Sequence, residues 1–250
     1  MRAVVLGASS GLGRCIGTGL VQRGAQVALL ARRKDALDDA AAEAGPGAVA
    51  VQCDVTDEAS CRAAVEAAAG ELGGIDALVY APAIGPLVKL VDTDADTWRR
   101  VFETNVTGAA IATAAAIPHL RASGGTAMFL SSISASLTAP WPGLGAYIVS
   151  KAALDKLVEA WRAEHTDIGF TRIVVGDCGG GQGDAMSHFN QDWDRDLTME
   201  LATIWVERRY ISGALFDVEE LINVVDTIGR SGASVAIPSV TLTPRIPATG

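Results

Sequence analysis

The chain has 250 residues and a formal net charge of −9, with an isoelectric point near 4.8, which argues against a nucleic-acid backbone as partner. Hydrophobic residues make up 49% of it and aromatic ones only 5%. That balance suits helix–sheet–helix layers filled by Ala, Val and Leu, in a length sufficient for one large domain. Cys15, Cys53, Cys61 and Cys178 show no C-x-x-C pair and no metal-ligand spacing, so reduced thiols, no metal and a cytoplasmic location are expected. The Ala-rich run 108–117 is too short to span a bilayer, and a strand beginning at Arg2 leaves no room for a signal peptide.

The first strand, Arg2–Leu6, runs into a turn with glycines at Gly7, Gly11 and Gly13, and helical sequence follows from Leu12. A strand, a side-chain-poor turn and a helix N-terminus together form a pocket for phosphate. The spacing is Gly-x-x-x-Gly-x-Gly rather than the commoner Gly-x-Gly-x-x-Gly. Further strands are predicted at Gln26–Ala31, Ala48–Gln52, Ala77–Tyr80, 126–130, 171–175 and 234–237, the last stopped by Pro238. Helices are predicted at 12–22, 34–44, 58–72, 94–121, 144–164 and 218–230. Apolar strands spaced by helices imply a mostly parallel, doubly wound sheet with helices on both faces, in a single domain, with ligand at the carboxyl ends of the strands.

The helices at 94–121 and 144–164 are apolar around most of their circumference. One face of each packs on the sheet, and the rest calls for a second copy of the chain or a deep two-layer core; a homo-oligomer, dimer or tetramer, is the preferred reading. After 171–175 the rhythm breaks at the glycine-rich run 176–183, followed by a polar stretch with Met186, Phe189 and Trp193 and an amphipathic segment at 197–206. A lid over a substrate, near 180–210, and a disordered excursion are the two readings of this region.

Tyr147 and Lys151 lie one helical turn apart near the start of a helix. An ammonium near a phenol favours phenolate, so the tyrosine pKa is expected to fall toward working pH, giving a proton donor and acceptor for an alcohol/carbonyl pair.

With these pieces in order the chain resembles the short-chain dehydrogenase/reductase family over residues 2 to about 179. The resemblance rests on Gly7-x-x-x-Gly11-x-Gly13, Asp54-Val55, Asn105-Val-Thr-Gly108, the serines ending the fifth strand, and Tyr147-x-x-x-Lys151. It implies a seven-stranded Rossmann-type sheet and an NAD(P)-dependent oxidoreductase. Tyr147 is then the general acid/base, Lys151 binds the nicotinamide ribose and tunes the tyrosine, and Asn105 holds a water that relays protons from Lys151. A serine orients the substrate carbonyl. Counting along the strand gives Ser132, whereas counting back from the tyrosine gives Ser134; Ser132 is chosen, because strand ends are more rigid than loop lengths. The implied cofactor set is Gly7, Ser9, Ser10, Gly11, Leu12, Gly13, Arg32, Arg33, Asp54, Val55, Ala81 and Gly179, together with Asn105, Tyr147 and Lys151.

An acid at the end of the second strand would bind a ribose 2′-hydroxyl, but Ala31 stands there, followed by Arg32 and Arg33. A guanidinium clasps a 2′-phosphate, so NADP(H) is expected, with Arg32 as main contact and Ser9 or Ser10 assisting. Three departures stand out. Tyr80-Ala81-Pro82-Ala83 replaces the family's Asn-Asn-Ala-Gly, Cys178-Gly179 replaces Pro-Gly without the following threonine, and Pro238-Ser239-Val240 stands in place of Val-Asp-Gly-Gly. The expectation is therefore an NADP(H)-dependent enzyme interconverting a carbonyl and a secondary alcohol, with Met186, Phe189, Trp193 and Trp141 hinting at a bulky apolar substrate. The alternative is an NADP(H)-binding sensor or scaffold that has lost turnover.

Overall fold

A computed structural model describes residues 1–181 and 186–245. Its centre is a parallel sheet of seven strands in the order β3-β2-β1-β4-β5-β6-β9. These are β1 (Arg2–Leu6), β2 (Gln26–Ala31), β3 (Ala48–Gln52), β4 (Ala77–Tyr80), β5 (Thr126–Ser132), β6 (Gly169–Val175) and β9 (Ser239–Leu242); a separate parallel pair joins β7 (Cys178–Gly179) to β8 (Phe216–Asp217). The chain reverses direction across the sheet between β1 and β4, which opens a crevice above the carboxyl ends of the strands.

Helices cover both faces. On one side α3 (Glu58–Leu72), α5 (Gly108–Ser123) and α7 (Gly145–Glu164) close a core of Ala64, Val65, Ala112, Ala116, Leu154 and Val158 against Leu78, Tyr80 and Phe129. On the other, α1 (Gly11–Gln22), α2 (Lys34–Ala44) and α9 (Val218–Gly229) bury Ile16, Leu20, Leu37, Leu221 and Val225 against Val5, Leu29 and Val79. Each large aliphatic side chain fully buried in this way stabilises the fold by roughly 1.5–3 kcal/mol. A third, smaller core lies outside the sheet, where α8 (Arg195–Glu207) sets Leu201 and Trp205 against Leu87, Leu144 and Ile148. Four helices begin on a capping carboxylate: Asp57 accepts from Ser60 N, Asp94 from Thr97 N, Asp194 from Leu197 N and Asp217 from Glu219 N. Each such cap contributes about 1 kcal/mol.

The structure corrects two boundaries. The last strand follows Pro238 instead of ending before it. Proline has no N–H for the ladder, so it precedes the first paired residue and offers its carbonyl to Arg172 N at 3.2 Å, while Ser239–Leu242 pairs with β6. The helix expected over 94–121 is three pieces: α4 (Ala95–Phe102), a π-helical turn at Glu103–Thr107, and α5. A π turn re-aims the side chains it carries, and this one carries Asn105, fully buried.

Candidate active site

The glycine turn lies at the end of β1. Gly7 and Gly11 hold φ of 76° and 56°, a left-handed conformation that side chains disfavour. Gly13 is needed for closeness: a Cβ there would stand 2.3 Å from Gly7 O. Gly7 N and Ala8 N both donate to Leu30 O, at 2.8 and 3.1 Å, pinning the turn to β2. Ser10, the N-cap of α1, makes no side-chain hydrogen bond back to the helix, unlike the four capped helices. The first N–H groups of α1 are thus left to another acceptor.

Beside this turn, Arg33 Nη2 donates to Ser9 Oγ at 3.0 Å and Ser10 Oγ at 2.8 Å. Arg32 is exposed; its carbonyl accepts from Gln52 Nε2 at 3.0 Å. Burial opposes ionisation of Asp54, but the backbone N–H and hydroxyl of Thr56, together with the charge of Arg32, hold its carboxyl below the usual range. Asp54 Oδ1 is taken by Thr56, at 2.9 Å from N and 2.7 Å from Oγ1, so this residue also shapes its own loop. Val55 is buried in the core, and the Ala81–Pro82 peptide packs on Gly7, whose Cβ would meet Pro82 N at 2.9 Å.

Across the crevice, β5 ends on Ser132, which starts the short helix α6 (Ile133–Ser136). Ser132 Oγ lies 2.9 Å from Ser134 Oγ, and of the two serines it is Ser132 that lies near enough to the Tyr147 phenol to draw its pKa down. Lys151 is almost wholly buried and donates through Nζ to Leu130 O at 2.7 Å, its Nζ standing 5.9 Å from the centroid of the Tyr147 ring. Asn105 braces the floor. Its Nδ2 donates to Ile84 O and Ser150 Oγ, both at 2.9 Å, and its Oδ1 accepts from Ile84 N at 2.9 Å; Ser150 in turn donates to Tyr147 O at 2.6 Å. Asn105, Ser132, Tyr147 and Lys151 are therefore brought to one place.

The expected lowering of the tyrosine pKa is not what this conformation gives. Burial pushes Tyr147 up to about 12, only partly offset by Ser132, and burial pulls Lys151 down to about 8, with Asp155 opposing. Removing both groups from water outweighs their mutual attraction, because desolvation penalises each charged form. Much of that burial comes from the segment after the glycine-rich run. The Phe189 ring meets Tyr147 edge-on at 5.0 Å and leaves no space for a side chain at Gly85. Trp193 packs on Phe189 at 5.7 Å and donates to Gly85 O at 2.8 Å, while Ser187 lies over Gly11. Met186–Trp193 therefore bridges the crevice from the glycine turn to Tyr147. Of the region read as a lid, residues 182–185 lie outside the described residues.

Met186 is exposed, and Trp141 stacks on Tyr210 and meets Trp205 at a tilt. The aromatics that hinted at a bulky substrate are thus largely spent on the third core, with Phe189 the one placed on Tyr147. Gly179 sits in the β7–β8 pair, and burial pushes the Cys178 thiol up to about 12, as in a packing thiol. Sequence reasoning missed Tyr80 as a site residue. It is fully buried, and its hydroxyl donates to Thr104 O inside the π turn, tying the end of β4 to the turn that carries Asn105. A tyrosine ending an otherwise apolar strand was the available signal. His119 Nε2 faces Glu66 Oε2 at 3.2 Å. Among the described residues no three metal-ligating side chains come together, and no helix is long and apolar enough to cross a membrane.

The sequence profile described as short chain dehydrogenase matches residues 1–193. The chain belongs to the short-chain dehydrogenase family. It is 37% identical over 169 residues to a short chain dehydrogenase of Pseudocercospora fijiensis (65% of this chain, 54% of that one). It is 34% identical over 178 residues to an 11-beta-hydroxysteroid dehydrogenase A of Arachis hypogaea (69% and 50%). The chain spans about half the length of these two relatives. Among solved structures, a short-chain dehydrogenase of Streptomyces avermitilis superposes with a TM-score of 0.80 at 26% identity, covering 96% of this chain and 87% of that one. An alcohol dehydrogenase of Thermococcus sibiricus complexed with 5-hydroxy-NADP superposes at 0.78 and 22% identity (96% and 94%). Membership of this family and its α/β sheet are thus shown, and the Ser132, Tyr147 and Lys151 cluster lies where the strands of that sheet end.

Proposed function

We propose that this short-chain dehydrogenase is an NADP(H)-dependent enzyme that interconverts a carbonyl and a secondary alcohol, with Tyr147 as general acid/base. The observation that carries the reading is the meeting of Ser132, Tyr147 and Lys151 across one crevice from an uncapped helix N-terminus. The donor set there fits a dinucleotide phosphate: two left-handed glycines, a third that no side chain could replace, and free N–H groups at α1. Gly7, Ser9, Ser10, Gly11, Leu12 and Gly13 would hold the pyrophosphate side, with Asp54, Val55 and Ala81 along the adenosine and Lys151 and Gly179 toward the nicotinamide. A 2′-phosphate is read by Arg33 as well as Arg32, since Arg33 already organises the Ser9 and Ser10 hydroxyls.

When bound, the nicotinamide supplies or accepts the hydride. The chain does the rest. Ser132 Oγ orients the substrate oxygen, and the Tyr147 hydroxyl gives that oxygen its proton, or takes it in the reverse direction. Lys151, held by Leu130 O, supplies positive charge behind the phenol. Asn105 is read as a brace rather than a water holder, because both ends of its carboxamide are engaged by Ile84 and Ser150. Phe189 and Trp193 exclude water and favour an apolar substrate, and Met186–Trp193 opens to admit it. The faces of α5 and α7 that carry Ile111, Ala114, Val149 and Leu157 are read as a contact with a second copy of the chain, and the protein is read as cytoplasmic.

Replacing Tyr147 by Phe is expected to lower carbonyl reduction by about 10²–10⁴-fold while NADPH still raises the melting temperature. Unchanged turnover on a carbonyl panel, followed by NADPH absorbance, would overturn the assignment. The packing of Phe189 on Tyr147 favours a second reading, an NADP(H) sensor without turnover; wild-type protein that is stabilised by NADPH yet reduces no carbonyl decides for it.

A further inference from the structure

Behind Lys151 lies a buried polar group that the chemistry above does not use. Asp155 follows Lys151 by one helical turn on α7, so Tyr147, Lys151 and Asp155 form a ladder along one face. Asp155 is only 6% exposed. Its Oδ2 is tethered by Arg172 Nη1 of β6 at 3.1 Å. Its Oδ1 and the hydroxyl of Ser131 on β5 are both buried with no well-formed hydrogen bond, although the hydroxyl lies near enough to draw the carboxyl down. On its outer side Asp155 meets a cleft of about 60 Å³ lined also by Val158, Glu159, Arg162, Arg172 and Ser239, room for a water or two. A buried carboxylate paired with an arginine, one helical turn from a buried ammonium, costs several kcal/mol of desolvation unless its charge is used.

We propose that Asp155, held by Arg172, is the positioning residue for Lys151: its negative charge keeps the lysine an ammonium at the pH where Tyr147 transfers its proton. The groups facing Lys151 are consistent with that division of labour. Tyr147 and Asp155 flank it on α7, Leu130 O and Ser131 face it from β5, and the neutral Asn105 carboxamide lies beyond Ser150. Among the described residues Asp155 is the one anion acting on it, whereas Glu159 is engaged at the surface by Lys156 and feels Arg172 and Arg162. Burial drives Lys151 toward neutrality at about 8 and Asp155 resists; burial likewise raises Asp155, and Ser131, Arg172 and Lys151 bring it back down. Two cations thus favour the ionised carboxylate, although burial still leaves it above the usual carboxylate range; Arg172 anchors it, and Lys151 serves the tyrosine.

The consequence for catalysis rests on the oxidoreductase reading, but the test does not. Lysine occurs at positions 34, 89, 151 and 156, so protein labelled with ¹³Cε-lysine gives few signals, and Lys151→Arg assigns the one of interest. In wild type that signal is expected to titrate near 8. In Asp155→Asn its midpoint should fall by about one pH unit, while Asp155→Glu, which keeps the charge, should stay within a few tenths. In parallel, the alkaline limb of kcat/KM for carbonyl reduction should move to lower pH by the same amount. Should the Asn variant not fold, Asp155→Ser, smaller and still able to accept from Arg172, answers the same question. A Lys151 midpoint that does not move, with only a lower melting temperature, would make Asp155 a staple between α7 and β6 and overturn the proposal. Wild type that reduces no carbonyl would sink the oxidoreductase reading alone, because the lysine titration needs no turnover.

Discussion

The two banks of the crevice are built by different means. On the β1–β2 side the shape is fixed by backbone: left-handed glycines, a Cβ-free contact between Gly13 and Gly7, and N–H groups tied to Leu30 O. On the 186–207 side it is fixed by side chains, with Phe189, Trp193, Trp205 and Trp141 meeting edge-on or tilted in and around a small core outside the sheet. Backbone geometry tolerates little change and recognises what all dinucleotides share. Aromatic packing can re-form around different shapes, which suits the side that selects a substrate.

The sharpest way to break this comparison is to place a side chain at Gly13. Gly13→Val would drive two methyl groups into the Gly7 carbonyl and should abolish stabilisation by NADPH in thermal shift; a variant that still binds NADPH normally would show that the turn does not hold the cofactor. Next comes the choice between cofactors. Arg32→Ala and Arg33→Ala should each weaken NADPH by about 10–100-fold, with far smaller losses for NADH, since a charge-assisted hydrogen bond is worth roughly 1.5–3 kcal/mol. Equal losses in titrations of the two cofactors would mean that no 2′-phosphate is read there.

Burial of the site sets a pH dependence of stability with a definite sign. Lys151 titrates near 8 when folded against an ordinary 10.5, so between those values the unfolded chain holds more protons and stability rises with pH. Tyr147 works in reverse, its pKa raised from 10 to about 12, so its contribution is lost as pH climbs from 10 through 12. Urea unfolding at pH 7.5 to 10 should show this rise in wild type and a flatter profile in Lys151→Met; identical profiles would deny that the ammonium is buried. The smallest effect concerns the aromatic bank. Phe189→Ala should change KM for apolar carbonyls by a few-fold and leave the Kd for NADPH within about twofold, the loss being confined to one wall.

How much was legible follows the same division. The glycine turn, the succession of strands and helices and the tyrosine–lysine pair could be read because each is a local pattern: small residues at a turn, apolar runs, and two polar groups one helical turn apart. The π turn under Asn105 could not, because its extra residue appears only when Tyr80 and Ile84 are there to hold it. The last strand was set on the wrong side of Pro238, since a weakly apolar edge strand is chosen by pairing with β6 and not by its own composition. Ser132 and Ser134 could not be separated by counting, because their order of approach to Tyr147 is set by how β5 and α7 pack, and it is Ser132 that acts on the phenol.

What the sequence determined by itself was the seven-layered alternation of strand and helix, and with it a doubly wound sheet, because hydrophobic periodicity and turn chemistry act over short stretches of chain. The tertiary structure decided which groups lose their water. It set Phe189 on Tyr147, Arg33 on the serines of the glycine turn, and Asp155 behind Lys151. Desolvation depends on everything packed around a group, and no window of sequence contains that.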